Sequence, residues 1–223
     1  MSDKCSYEKL AALPFFMGFS QTDLLRVVGH ARFDFRKYEP GQLIVEKGAA
    51  CDQLLFLTRG EARVVEELEG KAFRLEEILP APQLLQPERL YGLRQRFTKT
   101  FMARTTCNTV GLHKREVNQL CGTFELARLN LLNIIATRAQ RAHDTLLHTS
   151  SRTPREVIVR FMERHCLLLS GRKTLHVKLR RLGEELGLSR RVLSDSLHQM
   201  EAEGLLTLHR GRVEIPAMER LLV

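Results

Sequence analysis

Arg190 and Arg191 stand side by side directly after Ser189, at the head of a run in which Leu193 and Leu197 recur at helical spacing. A guanidinium is planar, permanently charged and carries a fork of N–H donors, so it pairs bidentately with two acceptors on one edge. The O6 and N7 of guanine offer such an edge in the major groove of DNA. The opening turn of a helix is where a groove-reading helix presents its side chains to bases. Ser189, Arg190, Arg191 and Ser194 are therefore the candidate base-reading residues. Lys178, Arg180, Arg181, Arg210 and Arg212 surround them in sequence and suit phosphate contacts, which supply affinity without sequence information. Arg172 and Lys173 extend the basic stretch, and no acid lies between 172 and 181.

Those side chains need a scaffold, and the flanking residues describe one. Leu175, Val177 and Leu179 alternate as a short strand does, and Leu182, Leu186, Leu188, Leu193 and Leu197 then follow at helical spacing. Gly187 suits the left-handed residue that ends a first helix, and Ser189 suits the N-cap of a second. Gly183 is small enough to let two helices cross closely. Leu205–His209 and Val213–Ile215 flank Arg210-Gly211-Arg212 as a β-hairpin with a basic tip. Strand, helix, turn, helix and hairpin make a winged helix-turn-helix. Two amphipathic helices joined by a glycine turn also occur in proteins that never touch DNA. Here the placement of charge favours DNA, although Ser196 takes an inner-face position that is usually apolar.

Composition agrees. The chain has 223 residues, 43% hydrophobic and 27% charged, and a net charge of +9. Its pI near 9.7 favours polyanionic partners. Residues 41–90 carry 6 basic and 9 acidic groups, residues 152–223 carry 14 and 9, and residues 91–115 carry six basic groups and no acid. The last run reads as a solvated face or as part of a site for an anion. Cys5, Cys51, Cys107, Cys121 and Cys166 are scattered with no C-x-x-C pair, which points to incidental thiols in a reducing cytosol rather than metal or cluster ligands. No apolar run approaches the roughly 18 residues of a membrane span and no signal-peptide core opens the chain, so a cytoplasmic protein with no membrane partner is expected. No nucleophile elbow, metal-ligand spacing or phosphate-binding glycine loop suggests an enzyme, and no cofactor or metal is expected.

Along the chain, residues 7–30 read as helix interrupted by Pro14 and Gly18, with Ser20 opening a capping pattern. From Phe33 to about Leu79 the period changes to two, with turns at Pro40-Gly41 and Arg59-Gly60, as in an antiparallel barrel or roll. Residues 80–89 read as irregular, and FTKTFMARTTCNTVGL returns to strand. Helix resumes at Lys114 and runs without proline or glycine from Leu126. Leu129, Leu132, Ala136, Ala139, His143 and Leu146 share one face, which suits either a dimer seam or packing on the chain's own β-domain. SSRTP at 150–154 marks a boundary, with Pro154 at the opening of the next helix. The expected architecture is α+β: a sensor domain over 1–115, a dimerisation helix over 116–148 and a winged helix-turn-helix over 152–223.

This order of parts resembles the CRP/FNR family of bacterial transcription regulators. L-P-F-F-x-G-F-S-x-x-D-L (Leu13–Leu24) is similar to that family's entry segment. Y-E-P-G-Q-x-I-x-E-K-G (Tyr38–Gly48) and D-Q-L-L-F-L-x-x-G-E-A-x-V (Asp52–Val64) resemble the turns of its cyclic-nucleotide-binding-type β-roll. Gln86–Gly92 and the C-terminal segment resemble Bacteroidetes members. The resemblance implies a homodimer that binds a double-stranded operator, with RNA polymerase as a further partner and an unidentified small-molecule effector. Members that bind cyclic AMP carry Gly-Glu followed a short segment later by Arg-Ser-Ala or Arg-Thr-Ala, the arginine pairing with the cyclic phosphate. Here the stretch is Gln86-Pro87-Glu88 and then Phe97-Thr98-Lys99, so Phe97 stands where that arginine belongs. Glu88, Phe97 and Thr98 mark the corresponding pocket, and cyclic AMP is not expected to fill it. Lys99 or Arg96 could replace the arginine only from one face away on the strand or from beyond the site. The lone N-terminal Cys5 argues against an iron–sulfur sensor, and nothing singles out His30 or Cys51 as a haem ligand. The competing reading is a ligand-sensing module whose helix-turn-helix serves protein contacts.

Overall fold

The computed structural model describes residues 10–67, 73–147 and 153–222, with only the backbone described over 144–147. Cys5 and residues 150–152 of the expected boundary lie outside the described residues, as does the side chain of Leu146. The chain forms two compact units, residues 1–62 with 80–141 and residues 63–79 with 142–223.

The first unit opens with a 3-10 turn at Pro14–Phe16 and helix α1, Gln21–His30, whose N-cap Ser20 accepts a hydrogen bond from the Asp23 amide at 3.1 Å. Strands β1 (Phe33–Tyr38), β3 (Gln53–Arg59), β6 (Gln83–Leu85) and β8 (Cys107–His113) form one sheet in the order β1-β8-β3-β6. All its neighbours are antiparallel, with Phe33 opposite Leu112 and Gln53 opposite His113. A short pair, β2 (Leu43–Val45) with β7 (Thr100–Ala103), closes the roll. In β3, Leu54, Leu55, Phe56 and Leu57 are all buried, so this strand is covered on both faces. Strand β6 falls inside the stretch read as irregular. Its three residues are too few for a period to show.

Two helices, not one, follow the roll: α2 (Lys114–Thr123) and α3 (Glu125–Leu147). The span 116–148 breaks at Phe124, whose backbone is extended (φ −118°, ψ 115°) and whose ring packs 5.3 Å from that of Phe19. No proline marks the break; a tertiary contact makes it. Ala127 and Leu131 of α3 are buried, and Asn130 donates to the carbonyls of Phe15 and Met17.

The second unit begins with part of β4 (Glu61–Glu67) and nearly all of β5 (Phe73–Pro80), then takes α4 (Pro154–His165), β9 (Lys173–Val177), α5 (Leu179–Leu186), α6 (Arg190–Ala202), β10 (Thr207–His209) and β11 (Arg212–Ile215). Its strands run β10-β11-β9-β5-β4. Residues 63–79, read from the sequence as part of the 1–115 domain, thus supply two strands to the winged unit. Strand β5 pairs antiparallel with β9 over five residues, Phe73 opposite Val177 through Glu77 opposite Lys173. Phe73 and Leu75 join Phe161, Leu175, Leu193 and Val213 in one core. Pro154 occupies the first turn of α4, where Thr153 and Glu156 form a reciprocal capping box. The strand read through Leu179 ends at Val177, because Lys178 is already the N-cap of α5.

Candidate nucleic-acid interface

Helix α5 ends at Gly187, whose φ of 65° is the left-handed conformation that a Cβ disfavours. The turn is tight: a Cβ on Gly183 would lie 2.8 Å from the carbonyl oxygen of Leu188, whose own amide donates back to the Gly183 carbonyl at 2.9 Å. Ser189 then caps α6, its hydroxyl accepting from the Val192 amide at 3.3 Å. Leu193, Leu197 and Met200 fix one side of α6 in the core. That choice of inward face leaves Arg190, Arg191, Asp195 and His198 in solvent.

Ser189, Arg190 and Arg191 therefore stand together at the open end of an anchored helix. Arg191 reaches Asp195 only loosely, at 3.9 Å. Ser194 is half-buried, its hydroxyl 3.4 Å from Nδ1 of His198, which also lies 2.8 Å from the Ser194 carbonyl oxygen. Ser196 is half-buried too, as its inner-face position requires. His198 was missed in the sequence; its spacing of seven from Arg191 was the available signal, since that interval returns to the same helix face.

The expected phosphate-binding residues divide into two groups. Lys178, Arg180 and Arg181 are exposed at the start of α5, with Glu184 shared between Arg180 (3.3 Å) and Arg181 (2.9 Å). Exposed ion pairs of this kind contribute about 0.2–1 kcal/mol, so a phosphate can displace the carboxylate. Arg210 is exposed in the tip between β10 and β11. Arg212 instead belongs to the strand itself, half-buried and 3.0 Å from Glu214. Lys173, grouped by sequence with the basic run, is fully buried beside Glu77 at 3.0 Å and presents no charge to solvent.

In the first unit several side chains of the pocket segment are engaged with neighbouring groups. Gln86, buried and left-handed (φ 44°), donates to the Thr98 hydroxyl at 2.6 Å and accepts from the Thr98 amide at 2.9 Å. Phe97 is buried with its ring 6.3 Å from that of Phe101. Glu88 faces Arg138 of α3 at 3.3 Å, and Arg138 also donates to the Leu84 carbonyl. Arg96 is engaged with the Gly48 carbonyl and Lys99 is buried. Among the described residues no group of three His, Cys, Asp or Glu side chains could hold a metal ion, and no helix is long and apolar enough to cross a membrane.

Along α3, Leu129 and Leu132 are 45% and 57% exposed, and Ala136, Ala139 and His143 are exposed with them. The apolar stripe read from the sequence is thus the outward face of the helix, while Ala127 and Leu131 cover the roll.

No protein-family model and no curated protein matches this sequence. Solved structures do match its fold. The catabolite activator protein of Thermus thermophilus is similar with a TM-score of 0.53 and 21% identity, over 94% of this chain and 96% of that one. A transcriptional regulator from Thermotoga maritima has a TM-score of 0.50 and 14% identity, over 58% of this chain and 99% of its own. CprK complexed with OCPA reaches 0.50 at 14% identity, over 90% of this chain and 92% of that one. At such identities the likeness is one of fold: α+β, with an N-terminal β-roll of the cyclic-nucleotide-binding type, a long helix and a C-terminal winged helix-turn-helix.

Proposed function

We propose that this chain is a CRP/FNR-type transcription regulator: a cytoplasmic, homodimeric, sequence-specific DNA-binding protein that inserts α6 into the major groove. The observation that carries the reading is the exposed Ser189-Arg190-Arg191 corner on a helix whose opposite side is locked into the core. Rigid placement matters, because a bidentate contact to guanine fixes both distance and plane. Lys178, Arg180, Arg181 and Arg210 lie on the same helix-turn-helix and wing and supply the phosphate contacts, with Arg212 at their margin. The outward stripe of α3 supports a second copy of this chain as its partner. RNA polymerase is the further partner of such a regulator. The pocket bounded by Glu88, Phe97 and Thr98 does not take cyclic AMP, because Phe97 stands where the arginine that meets the cyclic phosphate belongs and Gln86 already uses Thr98. The reaction class is binding, not catalysis.

Selection of bound duplexes from a random pool tests this reading, followed by competition between the selected site and scrambled DNA. Arg190→Ala should weaken the selected site by about 1–3 kcal/mol and relax preference at one base pair. Arg180→Ala should weaken all sequences alike and lower the salt slope by about one unit. Cyclic AMP added to the same competition should change neither affinity. Equal losses on both DNAs from Arg190→Ala would mean that α6 reads no bases, and failure to select any sequence would favour a helix-turn-helix used for protein contacts.

A further inference from the structure

Helices α1 and α2 lie side by side in the first unit and frame a cleft of about 130 Å³. Two contacts fix their direction. The ring of Phe19, just before α1, lies 5.3 Å from that of Phe124, just after α2. The amide of Arg32, just after α1, donates to the Glu116 carboxylate at 3.4 Å. The helices therefore run antiparallel, with His30 and Glu116 toward one end of the cleft and Arg26 about 6 Å back along α1. Ala31 and Leu120, both buried, and the half-buried Phe124 give the cleft an apolar floor.

The polar groups that line this cleft are poised but barely used. Among the described residues no ion pair or hydrogen bond engages the Arg26 guanidinium, and none joins it to Glu116. Glu116 holds only the long bond from the Arg32 amide. The Gln119 side-chain amide has no partner among the described residues either. His30 Nδ1 lies 2.7 Å from the Arg26 carbonyl oxygen. A carbonyl only accepts, so Nδ1 carries the hydrogen and Nε2 of the neutral ring is left as an acceptor. Opposite charges that share a cleft without meeting suit a ligand that carries both.

We propose that this cleft binds a free amino acid with an apolar side chain. Its carboxylate pairs bidentately with the Arg26 fork. Its ammonium has three N–H donors, matched by the Glu116 carboxylate, Gln119 Oε1 and His30 Nε2. Its side chain covers Leu120 and Phe124, in keeping with small-molecule sites that are mostly apolar with a few placed polar groups. Size agrees: one water needs about 10–15 Å³ of such space, so the cleft admits roughly ten non-hydrogen atoms. Leucine, methionine and phenylalanine are of that order. A bare anion would bring a second negative charge beside Glu116, and a plain amine would leave Arg26 unanswered. No residue of the Gln86–Lys99 segment lines this cleft, and nothing in it depends on what α6 reads.

Titration calorimetry of the full-length protein with leucine, methionine and phenylalanine tests the proposal. At least one should bind with a dissociation constant below about 1 mM. The acid lacking its amine and the amine lacking its carboxylate should each bind about 10- to 100-fold more weakly. Arg26→Gln and Glu116→Gln should each weaken the amino acid by a similar factor. Neither side chain is buried, and glutamine at 116 still accepts from the Arg32 amide, so thermal melts of both variants should match wild type. The comparison of analogues uses wild-type protein and holds whether or not a variant folds. No binding by any of the three amino acids at that concentration would overturn the proposal. So would an analogue that binds as tightly as its parent, which would reduce the cleft to a site for a single charge. Binding that neither substitution weakens would also overturn it, by placing the amino acid elsewhere.

Discussion

Lys173 looks in sequence like one more cation of the run before the helix-turn-helix, yet it lies fully buried against Glu77, 96 positions earlier. Glu77 also accepts from the amides of Leu167 and Leu168, at 2.8 and 3.2 Å, so its carboxylate is satisfied only in this place. Removing one member of a buried pair strands the other charge, so Lys173→Met should cost about 3–5 kcal/mol in urea unfolding. Adding Glu77→Leu should recover only part of that loss, because two buried amides then lack an acceptor. Cys51 gives a second prediction. Burial, with the neighbouring charges of Glu88 and Asp52, pushes its thiol up to about 11 from an ordinary 9.0. The unfolded chain ionises first as pH rises, so this contribution to stability is intact below pH 9 and fades toward pH 11. Unfolding near pH 10 should therefore show a loss that Cys51→Ala reduces; an identical pH profile in that variant would refute the assignment.

The elements that sequence reveals best are those whose signals are local. The leucine spacing, the Gly187 stop and the Ser189 cap lie within a few residues of what they control, and each holds in the structure. The break at Phe124 was not legible, since it comes from an aromatic partner more than a hundred residues away and not from a helix-breaking side chain. Helix α3 shows the same boundary between what periodicity can and cannot tell. The period of Leu129, Leu132, Ala136 and Ala139 identifies a face, while the structure shows that face to be outward. The proposed dimer seam makes a definite prediction. Carboxylates in a close apolar seam resist desolvation, so Ala136→Glu with Ala139→Glu should convert a dimer to a monomer in sedimentation. Wild-type protein that sediments as a monomer at micromolar concentration would refute the seam.

For the whole molecule, the class of fold was legible from the order of parts, but the membership of residues 63–79 was not. Alternating apolar residues show that a strand is half-buried and give no hint of which strand it will join. Residues 152–223 alone lack Phe73 and Leu75 from their core and leave Lys173 without its carboxylate. That fragment should give no cooperative melt by circular dichroism, whereas the full chain should. Synthesis imposes a related order in time. Glu77 leaves the ribosome 96 residues ahead of the lysine that neutralises it. At about 5–20 residues per second, β5 waits some 5–20 s with its pairing edge bare. During that interval Phe73 and Leu75 have no helix layer to cover them, and chains stalled before β9 display a sticky strand that chaperones and proteases can recognise.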